Sequence, residues 1–342
     1  MSGISDRKND HINLALQPQN QSGDGSGLDD YQFEPSPLPE LALENIDCSG
    51  LFLNRSIAAP LMIGAMTGGC DNAELINRHL CEAAEHCQIP MALGSQRAAL
   101  ELGLPQNARQ WIPNGILLGN LGATQLKQQG VDLAIRAVES VEADALVIHL
   151  NPLQELIQPE GDRDWNTVLE VIQHCAETLP VPLIVKEVGC GIGPQGAQQL
   201  ADAGIAWLEV AGRGGTNWAA IEIARNSCQT RQQIAQPFVN WGFNTAQALV
   251  SVAQNCPSMQ LIGSGGIRNG LDIARCIRLG AQITAVAQPF LQPATVSTQA
   301  VIDKIEILQE QLRWTLFLTG SANLQQLKLA NILTAKHTLS PL

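Results

Sequence analysis

The sequence has few basic residues for its length. Its 342 residues contain 20 Lys and Arg against 32 Asp and Glu, which gives a net charge of −12. We therefore expect no nucleic-acid partner, because binding to a phosphate backbone relies on a dense basic surface. A small phosphorylated ligand stays possible, since it needs only a few local cations and backbone N–H donors.

Long hydrophobic runs are also missing. No stretch approaches the roughly 18 uninterrupted apolar residues that a membrane helix needs, because Gly, Asn, Gln or a charge interrupts every run. The first eleven residues are polar and charged and contain no apolar segment typical of a secretory signal. We expect a soluble cytoplasmic protein with no membrane partner.

The nine cysteines include no CxxC pair and have no regular spacing. An odd, scattered set in a chain of this length is typical of reduced thiols in a protein core. Neither a disulfide framework nor a zinc site is expected.

Hydrophobic residues make up 45% of the chain and charged residues 15%, so a substantial core can form. Short apolar runs alternate with helix-length segments that carry Ala, Leu, Gln and Glu at helical spacing. The predicted strands are Pro60–Met66, Pro90–Gly94, Gly115–Asn120, Ala145–Asn151, Pro182–Val188, Trp207–Ala211, Gln260–Gly263 and Ile283–Ala287. The predicted helices are Glu74–Cys87, Leu126–Val141, Thr167–Thr178, Gln195–Ala203, Thr245–Gln254, Leu271–Leu279 and, as the last barrel helix, Val301–Leu318. About eight βα units predict an α/β fold, a (β/α)₈ TIM barrel with a short N-terminal extension. An open Rossmann-like sheet is the alternative.

The segment Gln17–Glu40 is rich in Gln, Gly, Ser, Asp and Pro and has no hydrophobic period. It predicts an exposed loop. We therefore expect an N-terminal segment and flexible loop over residues 1–41, followed by the barrel over residues 42–342. Composition alone predicts a solvated, frayed end around Arg7 and Lys8.

The active site of such a barrel lies at the carboxyl ends of its strands. After the seventh strand, Gly265 and Gly266 precede a helix start, and their backbone N–H groups can hold a phosphate. Arg268 would add charge, and the end of the eighth strand would complete the site. The alternative is that these glycines only form a tight βα turn.

Lys186 lies on the otherwise apolar strand PLIVKEVG. A cation there must pair or meet a ligand, because burying it alone is costly. We favour a ligand, and a salt bridge with Glu155 or Glu187 is the alternative.

The fourth strand leads into a polar turn that contains His149, Asn151, Gln154 and Glu155. One carboxylate among neutral donors suits Mg²⁺, which takes one or two carboxylates together with substrate phosphate oxygens and waters. The alternative is that Glu155 caps the N-terminus of a helix.

Seven motifs occur together in one order along the chain. They are RKxxH (Arg7, Lys8, His11), MTGG (Met66–Gly69), GSQR (Gly94–Arg97), HLNPLQE (His149–Glu155), KEVG (Lys186–Gly189), GRGGTNW (Gly212–Trp218) and SGGIR (Ser264–Arg268). With this set, the sequence resembles the type 2 isopentenyl-diphosphate delta-isomerases from residue 7 to about residue 291. HLNPLQE and RKxxH are specific to that family.

The resemblance implies an FMN-dependent barrel that interconverts isopentenyl and dimethylallyl diphosphate in isoprenoid biosynthesis. It implies Mg²⁺ on the diphosphate, NADPH or another donor to reduce the flavin, and a homo-oligomer, a tetramer or octamer. The N-terminus would then order over the substrate, which reverses the expectation from composition. The substrate-binding residues it implies are Arg7, Lys8, His11, Arg97, Asn151 and Gln154, and the metal ligand is Glu155. The FMN-binding residues it implies are Ala65, Met66, Thr67, Ser95, Asn120, Lys186, Thr216, Gly265, Gly266, Ile267, Arg268, Ala287 and Gln288.

Moving a double bond by one carbon adds one proton and removes another, with no net electron transfer. The developing positive charge needs a dry, electron-rich partner, which a reduced flavin provides. We expect the flavin to perform the main proton transfers. The assisting catalytic residues are Gln154 and His149, which orient the substrate, and Lys186, which stabilises the flavin anion.

Two other functions fit the same barrel. An FMN-dependent oxidoreductase of the 2-hydroxyacid oxidase or IMP dehydrogenase class would use a catalytic His or Cys at a strand end and would transfer electrons to product. A non-catalytic flavin- or phosphate-binding barrel is the third possibility.

Overall fold

The computed structural model describes residues 11, 14–15, 17, 20–66 and 73–334. Eight parallel strands close into a barrel in chain order, with the last strand beside the first. We number all strands β1 to β12, and the barrel strands are β4 (Leu61–Ile63), β5 (Met91–Ala92), β6 (Leu117–Gly122), β7 (Ala145–Leu150), β8 (Leu183–Glu187), β9 (Trp207–Glu209), β10 (Gln260–Ser264) and β11 (Ala281–Val286). The predicted TIM barrel is confirmed, and each barrel strand overlaps a predicted one.

The helices lie between the strands. In chain order they are α1 (Ala73–Cys87), α2 (Arg97–Leu102), α3 (Ala108–Trp111), α4 (Ala123–Gln129), α5 (Val131–Glu139), α6 (Pro152–Ile157), α7 (Val168–Thr178), α8 (Pro194–Asp202), α9 (Trp218–Arg225), α10 (Gln229–Ala235), α11 (Thr245–Asn255), α12 (Gly270–Arg278), α13 (Gln288–Val296), α14 (Thr298–Leu318) and α15 (Leu324–Leu327). No helix of the described residues is long and apolar enough to cross a membrane.

One predicted helix is wrong in its extent. The segment Leu126–Val141 was expected to be continuous, but Gly130 has φ of 71° and separates α4 from α5. Glycine adopts a positive φ at little steric cost because it has no Cβ. A residue with this backbone conformation commonly ends a helix.

Two clusters of buried apolar side chains stabilise the barrel, one inside it and one between its strands and the helices. Side chains such as Met62, Leu118, Val147, Ile184 and Ile262 fill its interior, and a larger cluster packs the strands against the helices. Because both faces of the strands are buried, they read as continuous apolar runs. The hairpin of β2 (Gly50–Phe52) and β3 (Arg55–Ile57) adds to the interior cluster. Its Phe52 ring meets Trp207, the first residue of β9, edge to face at 4.9 Å, so the hairpin covers the amino end of the barrel.

The expected exposed loop over Gln17–Glu40 is wrong for part of its length. Leu28 is fully buried in the main core and begins a 3₁₀ turn, Leu28–Asp30. The following strand β1 (Tyr31–Phe33) pairs antiparallel with β12 (Ile332–Thr334) near the other end of the chain. The segment has no hydrophobic period because isolated apolar residues, such as Leu28, anchor it to the barrel.

Candidate functional site

A cavity of about 280 Å³ opens at the carboxyl ends of the barrel strands. This is the end where TIM-barrel active sites lie. Its walls include fifteen residues that the sequence predicts: His11, Ala65, Met66, Ser95, Asn120, His149, Gln154, Lys186, Thr216, Gly265, Gly266, Ile267, Arg268, Ala287 and Gln288. The chain therefore brings residues from position 11 to position 288 to one place.

Six predicted site residues do not line this cavity or are not described. Arg7, Lys8 and Thr67 lie outside the described residues. Arg97, Asn151 and Glu155 are described but are not among the cavity walls. Of these, Arg97 pairs with Glu101 one helical turn away at 2.8 Å, and its side chain is 42% exposed. The structure does not bring Arg97 to the cavity.

The turn after β10 has the geometry of a phosphate cradle. Gly265 and Gly266 have φ of 102° and 78°, a backbone region that favours glycine. A Cβ on Gly266 would lie 2.3 Å from the carbonyl oxygen of Gly214, so the turn packs tightly on the loop after β9. Among the described groups, none accepts a hydrogen bond from the backbone N–H of Gly266 or Ile267. The two interpretations of these glycines are thus compatible, since the turn packs tightly and its residues still line the cavity with donors that no described group engages.

Lys186 is buried in the cavity wall and pairs with a residue that the sequence analysis missed. Its ammonium donates to the carbonyl of Glu187 at 2.6 Å and lies 3.7 Å from Glu209 Oε1. The alternative of a salt bridge named Glu155 or Glu187, but the described ion pair is with Glu209, and the Glu187 carboxylate accepts the backbone N–H groups of Val188 and Gly189. Glu209 stands beside Lys186 in the register of β8 and β9. A lone acid in the apolar run WLEVAG is the signal that could have identified it.

His149 is held in one orientation by Asn120. Asn120 donates its amide to the carbonyl of Leu93 at 3.0 Å, so its Oδ1 faces His149 Nδ1 at 2.9 Å. With Asn120 in this orientation, His149 donates from Nδ1. Gln96 Oε1 in turn accepts the backbone N–H of Asn120 at 2.9 Å. This chain of bonds holds the Nδ1 side of the imidazole.

Glu222, on α9, is the second functional residue that sequence reasoning missed. It is 1% exposed, and its Oε1 accepts hydrogen bonds from Gln154 Nε2 at 3.0 Å and Gln158 Nε2 at 2.7 Å, and lies 2.9 Å from His11 Nε2. Oε2 accepts from Arg225 at 2.9 Å. Glu222 thus joins the N-terminal segment to the HLNPLQE turn. A single acid in the largely apolar run WAAIEIAR is the sequence signal that could have identified Glu222.

The pKa of Glu222 reflects these partners. Burial acts to raise it, but the hydrogen bond and charge of His11, with the bonds from Gln154 and Gln158, outweigh burial and lower the pKa to about 2. The carboxylate is therefore ionised across the neutral range.

Trp218 also belongs to the site. Trp218 lines the cavity and meets the His11 ring edge to face at 5.2 Å. This ring gives the cavity a large apolar wall beside its polar donors.

Glu155 is the candidate metal ligand, and the predicted substrate-binding residue Asn151 lies beside it. Asn151 Nδ2 donates to Glu155 Oε1 at 3.0 Å, and the backbone N–H of Asp162 donates to Oε2 at 2.8 Å. Asn151 Oδ1 is buried and has no hydrogen-bond partner among the described residues. Within the described part of the chain, no group of three or more His, Cys, Asp or Glu side chains converges as a metal site. One carboxylate and one spare amide oxygen suit a cation whose remaining ligands are phosphate and water.

The chain is similar to proteins of known families. The family model of the FMN-dependent dehydrogenases matches residues 123–334. An isopentenyl-diphosphate delta-isomerase of Pseudescherichia vulneris is 48% identical over 338 residues, 97% of each chain. The protein of the same name from Stutzerimonas stutzeri is 49% identical over 333 residues, 96% of each chain.

Solved structures share the fold at low identity. A mandelate oxidase variant has a TM-score of 0.67 with 18% identity and covers 95% of this chain and 96% of its own. A lactate oxidase of Pediococcus acidilactici has a TM-score of 0.68 with 16% identity and covers 97% of this chain and 94% of its own. At this identity, the likeness is one of architecture.

Proposed function

The chain belongs to the isopentenyl-diphosphate delta-isomerases, and from this membership we propose that its cavity holds reduced FMN and a diphosphate substrate bound through Mg²⁺. The reaction is the interconversion of isopentenyl and dimethylallyl diphosphate. The observation that carries the proposal is the convergence of the predicted motifs on one cavity, which places the glycine turn and Lys186 in the same walls.

The residues present fit FMN. The N–H groups of Gly266 and Ile267, which have no acceptor among the described groups, and the start of α13 suit the phosphate, and Arg268 supplies a cation at the same rim. Lys186 offers a buried positive charge to the ring system. When bound, reduced FMN supplies an electron-rich ring and an acid–base nitrogen for a double-bond shift without net electron transfer.

The chain's own residues position the substrate and exclude water. Gln154 donates to Glu222 and is thereby fixed at the cavity wall, and His149 is fixed by Asn120. Trp218 and Ala15 contribute apolar surface, against which a five-carbon chain packs. A dry wall of this kind strengthens each electrostatic contact with developing charge.

The diphosphate would be held by residues other than those proposed for FMN. We assign Mg²⁺ to Glu155 and a substrate contact to Asn151, whose spare oxygen reaches the diphosphate through the metal ion or a water molecule because both oxygens are acceptors. Arg7 and Lys8 supply cations from the N-terminal segment, which His11 attaches to the barrel through Glu222. Arg97 would join these cations after its ion pair with Glu101 breaks.

Three further assignments complete the proposal. NADPH is the donor that reduces the flavin, the location is cytoplasmic, and the chain assembles into a tetramer or octamer. Exposed apolar side chains occur on α10 at Ile234 and in the segment before α11 at Phe238, Trp241 and Phe243, where the Phe238 and Trp241 rings lie 5.9 Å apart. Apolar exposure of this kind is typical of an interface. Light scattering tests the assembly, and a monomer at micromolar concentration would contradict it.

Glu155→Gln tests the metal and substrate side of the site. The assay is anaerobic and contains FMN, Mg²⁺, isopentenyl diphosphate and dithionite. We expect the Mg²⁺ concentration that gives half-maximal turnover to rise on the order of tenfold or more. The absorbance of bound flavin should stay unchanged, because Glu155 lies outside the cavity walls.

The matched control is Glu160→Gln, an exposed acid shortly after the same helix. It should keep the wild-type Mg²⁺ dependence. Turnover of Glu155→Gln that equals wild type at limiting Mg²⁺ would refute the metal assignment.

A further inference from the structure

Glu209 is a buried carboxylate for which the proposed reaction has no use. It is 4% exposed and contributes to the cavity walls from β9. Among the described residues, no N–H or O–H group donates a hydrogen bond to its carboxylate. A buried carboxylate without such donors is costly, so its charge requires compensation from elsewhere.

That compensation comes from Lys186. The two residues are register partners on adjacent strands, with Lys186 Nζ 3.7 Å from Glu209 Oε1. The distance is longer than a hydrogen bond, so the contact is one of charge. Lys186 Nζ meanwhile donates to the carbonyl of Glu187, which directs the ammonium without neutralising it.

We propose that Glu209 is a positioning residue that sets the electrostatic potential at the flavin ring by offsetting the charge of Lys186. An isolated cation in this wall would favour the anionic reduced ring strongly over the oxidised ring. A carboxylate beside it reduces that preference, because opposite charges at short range largely cancel in a dry site. The inference rests on the proposed binding of FMN in this cavity.

The test is the midpoint potential of bound FMN, measured anaerobically by spectrophotometric titration. Glu209→Gln keeps the shape of the side chain and removes its charge, so the affinity for reduced relative to oxidised FMN should rise about tenfold. For a two-electron couple, this corresponds to a potential about 30 mV higher. Lys186→Gln should shift the potential in the opposite direction.

Two further variants separate charge from structure. Glu209→Asp retains the charge and should stay near the wild-type potential, and the double variant Lys186→Gln with Glu209→Gln should return toward it. If Glu209→Gln takes up no FMN, FMN binding to the double variant becomes the test, because that variant has lost both the Lys186 and the Glu209 charge from the cavity wall. Recovered binding supports the pairing, and continued failure contradicts it.

The result also distinguishes this role from the cofactor assignment. Wild-type protein that takes up no FMN would contradict both. FMN bound to Glu209→Gln with an unchanged or lower potential would overturn the role of Glu209 alone.

Discussion

Glu222 shows how a single residue connects parts of the site that are far apart in sequence. One oxygen takes bonds from the HLNPLQE helix and meets His11, which lies 211 positions away. No local pattern specifies that meeting, because it depends on where α9 and the N-terminal segment lie on the barrel. Lys186 was predictable from its apolar strand, whereas its partner Glu209 depends on the register of β8 and β9.

The lowered pKa of Glu222 predicts a pH-dependent contribution to stability. A carboxylate whose folded pKa is depressed stabilises the fold above its unfolded pKa, near 4.5, and loses that contribution as pH falls toward 2. The shift corresponds to about 3 kcal/mol. Glu222→Gln should therefore lower the free energy of unfolding most above pH 4.5, and the difference from wild type should narrow as pH falls.

Urea titrations of the apoprotein from pH 3 to pH 7 measure this difference. Glu139→Gln, at an exposed acid on α5, is the control and should follow the wild-type profile. A constant gap between Glu222→Gln and wild type over that range would show that the ionised carboxylate contributes nothing to stability.

At the scale of elements, the turns that end the strands carry more of the site than the strands do. The sequence predicted the eight strands because strands buried on both faces give continuous apolar runs. It also located the Gly265–Gly266 turn, since paired glycines before a helix start are a local signal. It missed the packing of Leu28 and the pairing of β1 with β12, because that pairing joins residues about 300 positions apart.

Gly266→Ala tests the turn. A Cβ there would meet the Gly214 carbonyl oxygen at 2.3 Å at a φ of 78°, so the turn must move and its donors with it. We expect the affinity for FMN to fall on the order of tenfold or more, a cost of the size that backbone strain imposes. Fluorescence titration of FMN measures it.

Gly103→Ala is the matched control for backbone strain. Gly103 has φ of 63°, and a Cβ there would have nothing within 4 Å. Both variants should lose roughly 1 kcal/mol of stability from the left-handed backbone, and Gly266→Ala should lose more because its Cβ meets the backbone of Gly214. Only Gly266→Ala should lose affinity for the flavin. Equal FMN affinities in the two variants would exclude the turn as the phosphate site.

At the scale of the whole molecule, the barrel explains why motifs scattered over most of the chain act together. Closure of the sheet brings the residues that follow the strands to one opening. The same architecture occurs in oxidases at 16–18% identity, so the fold alone does not decide between isomerisation and electron transfer. Composition was informative in a coarser way, since 20 basic against 32 acidic residues leaves few cations to place. Two cations of the described residues, Lys186 and Arg268, line the cavity.

The most direct measurement counts product against reductant. Purified protein with FMN, Mg²⁺ and isopentenyl diphosphate is reduced anaerobically by a limiting amount of NADPH, and dimethylallyl diphosphate is quantified. An isomerase that reduces its flavin once and reuses it should form many product molecules per NADPH consumed. One NADPH consumed per product, or no product from protein with fully reduced FMN, would contradict the account.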